Sequence, residues 1–412
     1  MLALEYHRSP ARYLAAGRMA SVSSGPLSSM AASVAPLRLS NQQDPRPAGP
    51  DWVRVRPLLA GICGSDLAML TGRASTYLSA LVSMPFVPGH EIVGELLDAT
   101  TCNGAELSAG SRVVLDPVLS CRARGVDPCA WCAAGEDNRC DHVTVGRVSA
   151  GIQTGFCGDT SGGWSEQLIA HRDQLHPVPD GLTAERAVLA EPLACAVRSV
   201  RRAAVPRDAS VLVVGAGTVG LLTVLALRHL TPAGAVTVIA KHPHQRRRAS
   251  ELGASDVMQP ARAARGLRRA TGGSLHQPER GAEFLLGGTD IAFECTGGSG
   301  LETASRLVRA GGRVILSGMP AGAVDLTPVW YRELELVGSY ASQSRAGGDG
   351  HHGADASRAG DFRTALELAE QAPLDGFVNG TYPLVEWRDA LAHALSAGRS
   401  GSIKVAFDPT TD

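Results

Sequence analysis

The chain has 412 residues, of which 44% are hydrophobic and 19% are charged, a composition able to build the cores of two domains. Its 39 basic and 40 acidic residues leave a net charge of −1, which argues against nonspecific nucleic-acid binding and against a polybasic membrane anchor. No apolar run reaches about 18 residues, so no membrane span is predicted. The odd number of cysteines, nine, favours a reducing compartment, most simply the cytoplasm.

The first half of the chain has short apolar runs separated by many Gly, Pro and Cys residues, which is typical of an irregular, mostly β domain. A first strand is predicted at Leu2–Tyr6. The Ala- and Ser-rich stretch after it has no continuous apolar segment, so we expect a loose insertion rather than a signal peptide. Further strands are predicted at Val53–Val55, Ile92–Leu97 and Val113–Leu115, with a loop at Pro57–Gly61.

In the second half, strands alternate with helices, and several strands are continuous apolar runs, which indicates a parallel sheet covered on both faces. A long helix over Ala184–Ala204 is predicted to be interrupted at Pro192. Insertions are predicted at Pro260–Gly288 and at Ser342–Gly360. The second contains two adjacent histidines, which could bind a metal, but its Gly- and Ser-rich composition favours a solvated loop. The remaining predicted strands are Ser210–Val214, Val236–Ala240, Asp290–Glu294, Arg313–Ser317 and Leu334–Val337, and the helices are Thr218–Leu230, Gln245–Leu252 and Leu301–Arg309.

The turn after the strand Ser210–Val214 carries the pattern G-x-G-x-x-G and opens a helix. Gly215 permits the tight turn, Gly217 lets the backbone approach a pyrophosphate, and Gly220 lets the helix pack closely on the strand. The unpaired amides at the start of such a helix attract phosphate charge. With the strand, the helix and a second strand at the right distances, the turn predicts a dinucleotide site, and the alternative is a glycine-rich turn without a ligand.

The end of the next strand predicts which nucleotide is bound. An acidic residue at this position hydrogen-bonds the ribose hydroxyl of NAD, but the residue here is Ala240, and it is followed by Lys241 and by an Arg run that begins at Arg246. A 2′-phosphate would be repelled by a carboxylate and could pair with these cations. We therefore expect NADP in preference to NAD, the alternative being that the Arg run is only a solvated helix face.

Four cysteines lie within 20 residues in the arrangement Cys121-x7-Cys129-x2-Cys132-x7-Cys140. A C-x-x-C pair flanked by two more cysteines, in a chain without a secretory signal, favours a tetrahedral thiolate zinc site over disulfides or free thiols. With all four positions filled by protein, this zinc would be structural.

A second candidate metal site combines Cys63 with His90, which lies 27 residues later and is followed by Glu91. Each residue alone is a weak signal, because a single Cys or His more often serves packing. Together, and upstream of a dinucleotide fold, they predict a Cys/His zinc site with a carboxylate nearby, of the open kind that leaves a position for water or substrate.

These motifs together resemble the zinc-dependent medium-chain alcohol dehydrogenase family, over nearly the whole chain and in the expected order. Glu191, in Ala-Glu-Pro-Leu, looks like the branch of sorbitol, threonine and glucose dehydrogenases, which lacks the second zinc cysteine of the alcohol dehydrogenases. The matching segments are Cys63–Asp66, Gly89–Glu91, the four-cysteine segment, Gly162–Glu166, the glycine-rich turn, Asp290–Gly297 and Gly401–Val405.

Two features depart from the family pattern. The first two cysteines of the family's four-cysteine segment are usually separated by two residues, whereas Val126 stands at that place here and Cys121 needs a longer loop to reach the zinc. Relatives often carry a His shortly after the C-G-S-D segment, and this His extends the series of groups that carries the alcohol proton away from the site. This chain has Leu67-Ala68-Met69 there.

The resemblance implies a GroES-like, mostly β catalytic domain over 1–192 and 342–412, and a Rossmann domain with a doubly wound parallel sheet over 193–341. It implies two zinc ions per chain, with Cys63 and His90 as catalytic ligands and Glu91 and Glu191 alternating with water. Ser65, two residues past a ligand, is expected to pass on the alcohol proton. The predicted cofactor-binding residues are Gly215, Gly217, Thr218, Val219, Gly220, Lys241, Arg246 and Thr296.

The expected reaction is reversible hydride transfer between an alcohol, polyol or sugar and NAD(P), in a homodimer or homotetramer. One alternative is a zinc-free quinone or enone reductase of the same fold, which the pair Cys63 and His90 disfavours. The other is a non-catalytic NADP-binding sensor, which the complete set of ligands disfavours. Trp164, Phe156 and Met84 are candidates for the substrate pocket, with core packing equally plausible for each.

Overall fold

A computed structural model describes residues 1–22, 34–102, 105–320, 322–343 and 360–411. The chain divides into two compact units, the first formed by Met1–Ala194 with Ala341–Asp412 and the second by Cys195–Tyr340. Within the described ranges, no helix is both long enough and apolar enough to cross a membrane. The predicted loop with His351 and His352 lies outside the described residues.

The first unit is built on an irregular β-sheet of seven strands in the order β18-β19-β3-β4-β7-β9, with β8 paired to β3. Except for the parallel pair β18 and β19, neighbouring strands of this sheet are antiparallel. Its strands are β3 (Trp52–Gly61), β4 (Glu91–Leu96), β7 (Arg112–Leu115), β8 (Leu168–His171), β9 (Leu175–Pro177), β18 (Val378–Tyr382) and β19 (Lys404–Phe407).

The other elements of the first unit cover this sheet or extend from it. Two hairpins pair β1 with β2 and β5 with β6. The elements are β1 (Leu2–Tyr6), α1 (Pro10–Val22), β2 (Leu37–Asn41), α2 (Gly64–Leu70), β5 (Thr100–Cys102), β6 (Ala105–Leu107), α3 (Ala130–Ala133), α4 (Ala184–Ala187), α5 (Ala190–Ala203, which runs on into the second unit), α11 (Asp361–Gln371) and α12 (Trp387–Ser400).

The second unit is a six-stranded parallel sheet in the order β12-β11-β10-β15-β16-β17. This is the strand order of dinucleotide-binding folds, and strands β10 and β11 are fully buried. The elements are β10 (Val211–Val214), α6 (Thr218–Leu230), β11 (Val236–Ile239), α7 (Pro243–Glu251), β12 (Asp256–Met258), α8 (Ala263–Thr271), β13 (Ser274–His276), β14 (Phe284–Leu286), β15 (Thr289–Glu294), α9 (Gly300–Leu307), β16 (Val308–Leu316), α10 (Thr327–Tyr331) and β17 (Glu335–Gly338).

The fold class predicted from the sequence, a mostly β unit and a doubly wound α/β unit, is confirmed, but several local predictions were wrong. Pro57–Gly61 is not a loop but the second half of β3, where a register shift at Pro57 absorbs the missing N–H. The helical stretch after Ala184 breaks before Ala190, so Pro192 lies in the first turn of α5. Proline has no backbone N–H, but N–H groups in a first turn have no partner within the helix, so no hydrogen bond is lost.

Two predicted insertions also contain regular structure. The stretch after β1 includes helix α1, which begins at Pro10, a favourable residue for a first helical turn. The stretch Pro260–Gly288 contains helix α8 and the antiparallel hairpin of β13 and β14. Both stretches are rich in Ala, Gly, Ser or Arg, and this composition concealed the elements within them.

Candidate functional site

Cys63 lies at the junction of strand β3 and helix α2, where it precedes the first residue of the helix. The Ile62 N–H donates to Val405 O at 2.9 Å, which ties this junction to strand β19. Asp66, in the first turn of α2 and fully buried, accepts the N–H of Cys63 at 2.9 Å through Oδ2. The backbone around the Cys63 sulfur is therefore fixed on both sides.

His90 lies beside Cys63, directly before strand β4, and its side chain hydrogen-bonds the Cys63 thiol. The Gly-Gly-Trp segment at 162–164 holds this stretch from the other side: the Gly163 N–H donates to Gly89 O at 2.9 Å and the Trp164 N–H to Pro88 O at 3.0 Å. Trp164 itself is completely buried, so it belongs to the core and does not line a pocket.

Asp66 also orients the His90 ring, because its Oδ1 lies 3.5 Å from His90 Nδ1. Burial raises the pKa of Asp66. Burial by itself would lower the pKa of His90, but the charge of Asp66, the Cys63 thiol and the charge of Glu191 outweigh it and raise that pKa well above its ordinary value. The surroundings thus favour a positive charge at His90, whether a proton or a metal ion supplies it.

Phe156 is an aromatic neighbour of His90. Its ring centroid lies 5.8 Å from that of His90 and 5.4 Å from that of Phe86. Phe156 is only partly buried, and Met84 is 38% exposed. Of the three candidates for the substrate pocket, Phe156 is therefore the one that the structure brings next to a predicted zinc ligand.

Glu91 is fully engaged by a residue from the other end of the chain. The Lys404 ammonium donates to Glu91 Oε1 at 2.6 Å, to Oε2 at 2.5 Å and to Ile62 O at 3.3 Å. Burial would lower the pKa of Lys404, but the Glu91 carboxylate reverses this effect and raises it. Both side chains are buried, and sequence reasoning missed the pair. The scarcity of lysine, with only Lys241 and Lys404 in the chain, was the available signal.

Glu191, the second residue of α5, is 7% exposed, and its charge acts on both His90 and Lys404. In the described part of the chain, one group of three or more ligand atoms lies close enough together to hold a metal ion. It consists of the four predicted cysteines, here called the lobe cysteines: Cys121, Cys129, Cys132 and Cys140. Neither Glu91 nor Glu191 completes such a group with Cys63 and His90. Still, a thiol and an imidazole in contact, with a carboxylate nearby, fit the ligand preference of zinc.

We expect Asp66→Asn to weaken metal binding at Cys63 and His90. Asparagine keeps an oxygen that can accept the Cys63 N–H but removes the charge that orients His90. Loss of such an outer-shell partner typically costs about 10- to 100-fold in metal affinity. Zinc retained during titration with a chelator measures the effect, and Asp98→Asn, which alters a partly exposed carboxylate paired with Arg54, is the control. Equal zinc retention in the two variants would contradict the orienting role.

The four predicted lobe cysteines do come together. Their sulfur atoms all lie within 4.8 Å of one another, and backbone amides point at them: the Cys129 N–H contacts Cys121 Sγ at 3.3 Å and the His142 N–H contacts Cys140 Sγ at 3.4 Å. Val126, which stands at the usual place of the second cysteine, packs partly buried against the cluster. Four crowded thiols with amide donors fit a thiolate zinc site.

The loop between Cys121 and Cys129 contains Arg124, which is completely buried. Its guanidinium group donates to five carbonyl oxygens, and this anchors the following segment 145–151. The acceptors are the carbonyls of Leu119, Val145, Val148, Ser149 and Gly151. The extra residues that separate Cys121 from Cys129 thus form an ordered part of the lobe.

The glycine-rich turn joins β10 to α6 in the second unit. Gly215 has φ +97, which favours glycine, and a Cβ there would lie 2.4 Å from Thr296 Cγ2. Gly217 precedes the first helical residue, Thr218, and a Cβ added to it would meet no atom within 4 Å. A Cβ at Gly220 would lie 2.0 Å from Gly215 O. Backbone amides at this helix start are thus accessible to a phosphate group, as a pyrophosphate site requires.

Thr296 is held beside this turn by a residue that sequence reasoning did not single out. The buried carboxylate of Glu294, the last residue of β15, accepts the Thr296 N–H at 2.6 Å and the Gly297 N–H at 3.1 Å. Its position at the carboxyl end of a central strand was the available signal, because ligands of such sheets bind at that edge.

At the end of β11, Ala240 is completely buried and Lys241 is exposed. Arg246, on the first turn of α7, folds back so that its Nη1 donates to Lys241 O at 3.0 Å. The Arg246 guanidinium therefore lies against the Lys241 backbone at the strand end. Val219, within the first turn of α6, is partly buried.

Comparisons with known proteins were consistent across sequence and structure. The alcohol dehydrogenase GroES-like domain matches residues 49–180, and the zinc-binding dehydrogenase domain matches residues 218–349. The chain is 30% identical to the L-idonate 5-dehydrogenase of Vitis vinifera over 300 residues, 71% of this chain and 74% of that protein. It is also 30% identical to the sorbitol dehydrogenase of Arabidopsis thaliana over 296 residues, 71% of this chain and 74% of that protein.

Among solved structures, the chain is similar to a zinc-binding dehydrogenase of Sinorhizobium meliloti bound to NADP. The TM-score is 0.68 and the sequence identity 26%, over 90% of this chain and 96% of that one.

Proposed function

The chain belongs to the zinc-dependent medium-chain alcohol dehydrogenase family, and from this premise we propose that it interconverts a polyol and the corresponding ketone with NAD(P). The observation that carries the proposal is the contact between Cys63 and His90 in a chain that also has a dinucleotide turn. Asp66 supports this contact, because it accepts the Cys63 N–H and its carboxylate lies 3.5 Å from His90 Nδ1. The polyol class is supported by the idonate and sorbitol relatives.

We assign the first unit as the catalytic domain and the second as the cofactor domain. In the first, Cys63 and His90 would hold zinc, and a carboxylate or water would complete the set. Because Lys404 engages both oxygens of Glu91, we favour Glu191 as the carboxylate ligand in the resting enzyme, with Glu91 as the alternative.

When bound, zinc supplies a Lewis acid for the substrate oxygen, and the nicotinamide supplies or accepts the hydride. The protein residues orient these partners and handle the proton. Asp66 fixes the His90 ring and the Cys63 backbone. Ser65, partly exposed to solvent in the first turn of α2, would take the alcohol proton at Oγ and pass it to water.

For the cofactors, we propose two zinc ions per chain, one at Cys63 and His90 and one in the four-cysteine lobe, and NADP in preference to NAD. Two residues at the end of β11 support the choice of NADP: the exposed Lys241, and Arg246, whose guanidinium contacts the Lys241 backbone. The uncharged, buried Ala240 supports it as well. A 2′-phosphate would gain charge-assisted hydrogen bonds from both cations. The NADP of the Sinorhizobium meliloti relative is in keeping with this choice.

We expect Ala240→Asp to shift the preference towards NAD. The new carboxylate would repel a 2′-phosphate and could accept hydrogen bonds from the ribose hydroxyl groups of NAD. With about 1.5–3 kcal/mol at stake for a hydrogen bond to a charged group, the ratio of kcat/KM for NADP to that for NAD should fall at least about 10-fold. Ala240→Asn, similar in size but uncharged, is the control. An unchanged ratio in the aspartate variant would contradict the assignment of this position.

Metal content combined with a screen of polyols against both nucleotides tests the function as a whole. Two zinc ions per chain and turnover of a polyol support the proposal. A single zinc ion, held by the four cysteines, together with reduction of quinones or enones would favour a reductase without a catalytic zinc. Two zinc ions without turnover of any substrate would favour an NADP-binding sensor.

We further propose a homodimer or homotetramer. Strand β17 is a free edge of the six-stranded sheet within the described residues, and α10 next to it exposes 79% of Trp330 and 67% of Tyr331. Free edges and exposed aromatic groups commonly mark association surfaces, and light scattering coupled to gel filtration tests this proposal. The nine cysteines, none in a disulfide, support our assignment to the cytoplasm.

A further inference from the structure

His142 contacts two of the four lobe sulfurs. Its backbone N–H lies 3.4 Å from Cys140 Sγ, and its ring Nδ1 lies 3.3 Å from Cys121 Sγ. The two cysteines are the first and the last of the cluster, and their sulfur atoms are 3.6 Å apart. His142 therefore contacts both the first and the last cysteine of the four-cysteine segment.

The histidine is not one of the ligands themselves. The group of mutually close ligand atoms found in the described part of the chain consists of the four cysteine sulfurs, and no ring nitrogen of His142 belongs to it. With four sulfurs the tetrahedral set of zinc is complete. The ring is thus placed outside the set, against a single sulfur, where an imidazole N–H can donate a hydrogen bond to a thiolate.

The sulfur that it contacts belongs to the cysteine that departs from the family spacing. Cys121 is separated from Cys129 by seven residues, so these two cysteines do not share one C-x-x-C turn. Arg124, within that loop, directs its donors to carbonyl oxygens of the backbone. The Cys121 sulfur is instead contacted by the Cys129 N–H at 3.3 Å and by the His142 ring.

Four thiolates around one divalent ion leave two net negative charges in a site where Cys121 and Cys132 are buried. Hydrogen bonds from N–H groups disperse such charge and lower the nucleophilicity of the sulfur. We propose that His142 donates a hydrogen bond from Nδ1 to the Cys121 thiolate and thereby retains this displaced cysteine in the zinc site. The inference depends on the proposed lobe zinc.

The test compares the full-length wild-type protein with His142→Ala and His142→Asn. An asparagine side chain can place an amide N–H near the position of Nδ1, whereas alanine has no donor. We expect zinc transfer to a chromogenic chelator and iodoacetamide alkylation of Cys121, located by mass spectrometry, to be about 10-fold faster in His142→Ala. Most of this change should be reversed in His142→Asn. In protein loaded with cobalt, the sulfur-to-metal charge-transfer band should shift in the alanine variant alone.

Two controls make the outcomes distinct. His276→Ala removes a histidine of the second unit that is stacked on Phe284, and it should leave every readout at the wild-type value. His142→Gln keeps an amide but carries it one bond further, so it should resemble alanine if the geometry matters. If alanine does not yield folded protein, the comparison of Asn with Gln decides the question.

Wild-type rates in His142→Ala would overturn the role of His142 and leave the lobe zinc intact. Equal rates in Asn and Gln would overturn the hydrogen bond from Nδ1. If Cys121 of the wild-type protein is alkylated at the same rate with and without prior removal of metal, the lobe zinc itself is refuted, and the inference with it.

Discussion

His90→Ala is expected to abolish turnover, and of all substitutions it should have the largest effect on activity. The imidazole is one of two predicted zinc ligands that touch each other, and the variant leaves only Cys63 and a nearby carboxylate. Loss of the metal would remove the several kcal/mol that a Lewis acid contributes to the transition state, and about 4 kcal/mol already corresponds to about a thousand-fold in rate.

The fold and nucleotide binding should persist in the variant, because the dinucleotide turn lies in the second unit. Since His90→Ala also leaves the buried Asp66 without its partner, Cys63→Ala is made in parallel as a variant that spares the Asp66–His90 contact. Initial rates, zinc content and nucleotide titration by fluorescence measure the three properties. His229→Ala, an exposed position, is the control. Wild-type rates in either ligand variant would refute the assignment of the site.

Lys404→Met is expected to have the largest effect on stability. Methionine fills a similar volume, but it leaves the Glu91 carboxylate buried without a counter-charge. Breaking a buried ion pair by removing one partner costs about 3–5 kcal/mol, which is a large part of the stability of an ordinary domain. The midpoint of denaturant unfolding of the first unit should fall accordingly.

The chain provides its own control for this experiment. Lys241→Met removes the only other lysine, which is exposed, and it should leave the midpoint nearly unchanged while weakening NADP binding. The double variant Glu91→Gln with Lys404→Met should recover part of the loss, because no buried charge is then left unpaired. Equal midpoints for the two lysine variants would show that the Lys404–Glu91 pair does not stabilise the fold.

Much of the architecture could be predicted because it depends on local patterns. The buried strand β10, the glycine pattern after it and helix α6 follow one another directly, and each has its own periodicity or steric requirement. Elements without such a pattern were not predicted. Helix α1 lies in an Ala- and Ser-rich stretch, and the hairpin of β13 and β14 has strands of three residues each.

The position of Pro192 was misjudged for a similar reason. A proline inside a helical pattern predicts a break at its own position, but the break lies before Ala190, and the proline belongs to the first turn of the next helix. The residue type indicates that a helix ends or begins near the proline. Which of the two occurs depends on how the flanking segments pack.

A glycine-rich turn of the dinucleotide-binding kind, a cysteine-rich segment and a Cys/His pair could all be predicted from the chain alone, because residue type and spacing carry those signals. The three-dimensional fold alone showed that the carboxylate beside His90 is engaged by another residue. Glu91 is adjacent to His90 in sequence, yet Lys404, 313 residues away from it, engages both of its oxygens. It also decided that Asp66 orients His90 and that His142 reaches the displaced Cys121. Such contacts depend on strand pairing and chain reversals, and no local pattern encodes which distant side chain will compensate a buried charge.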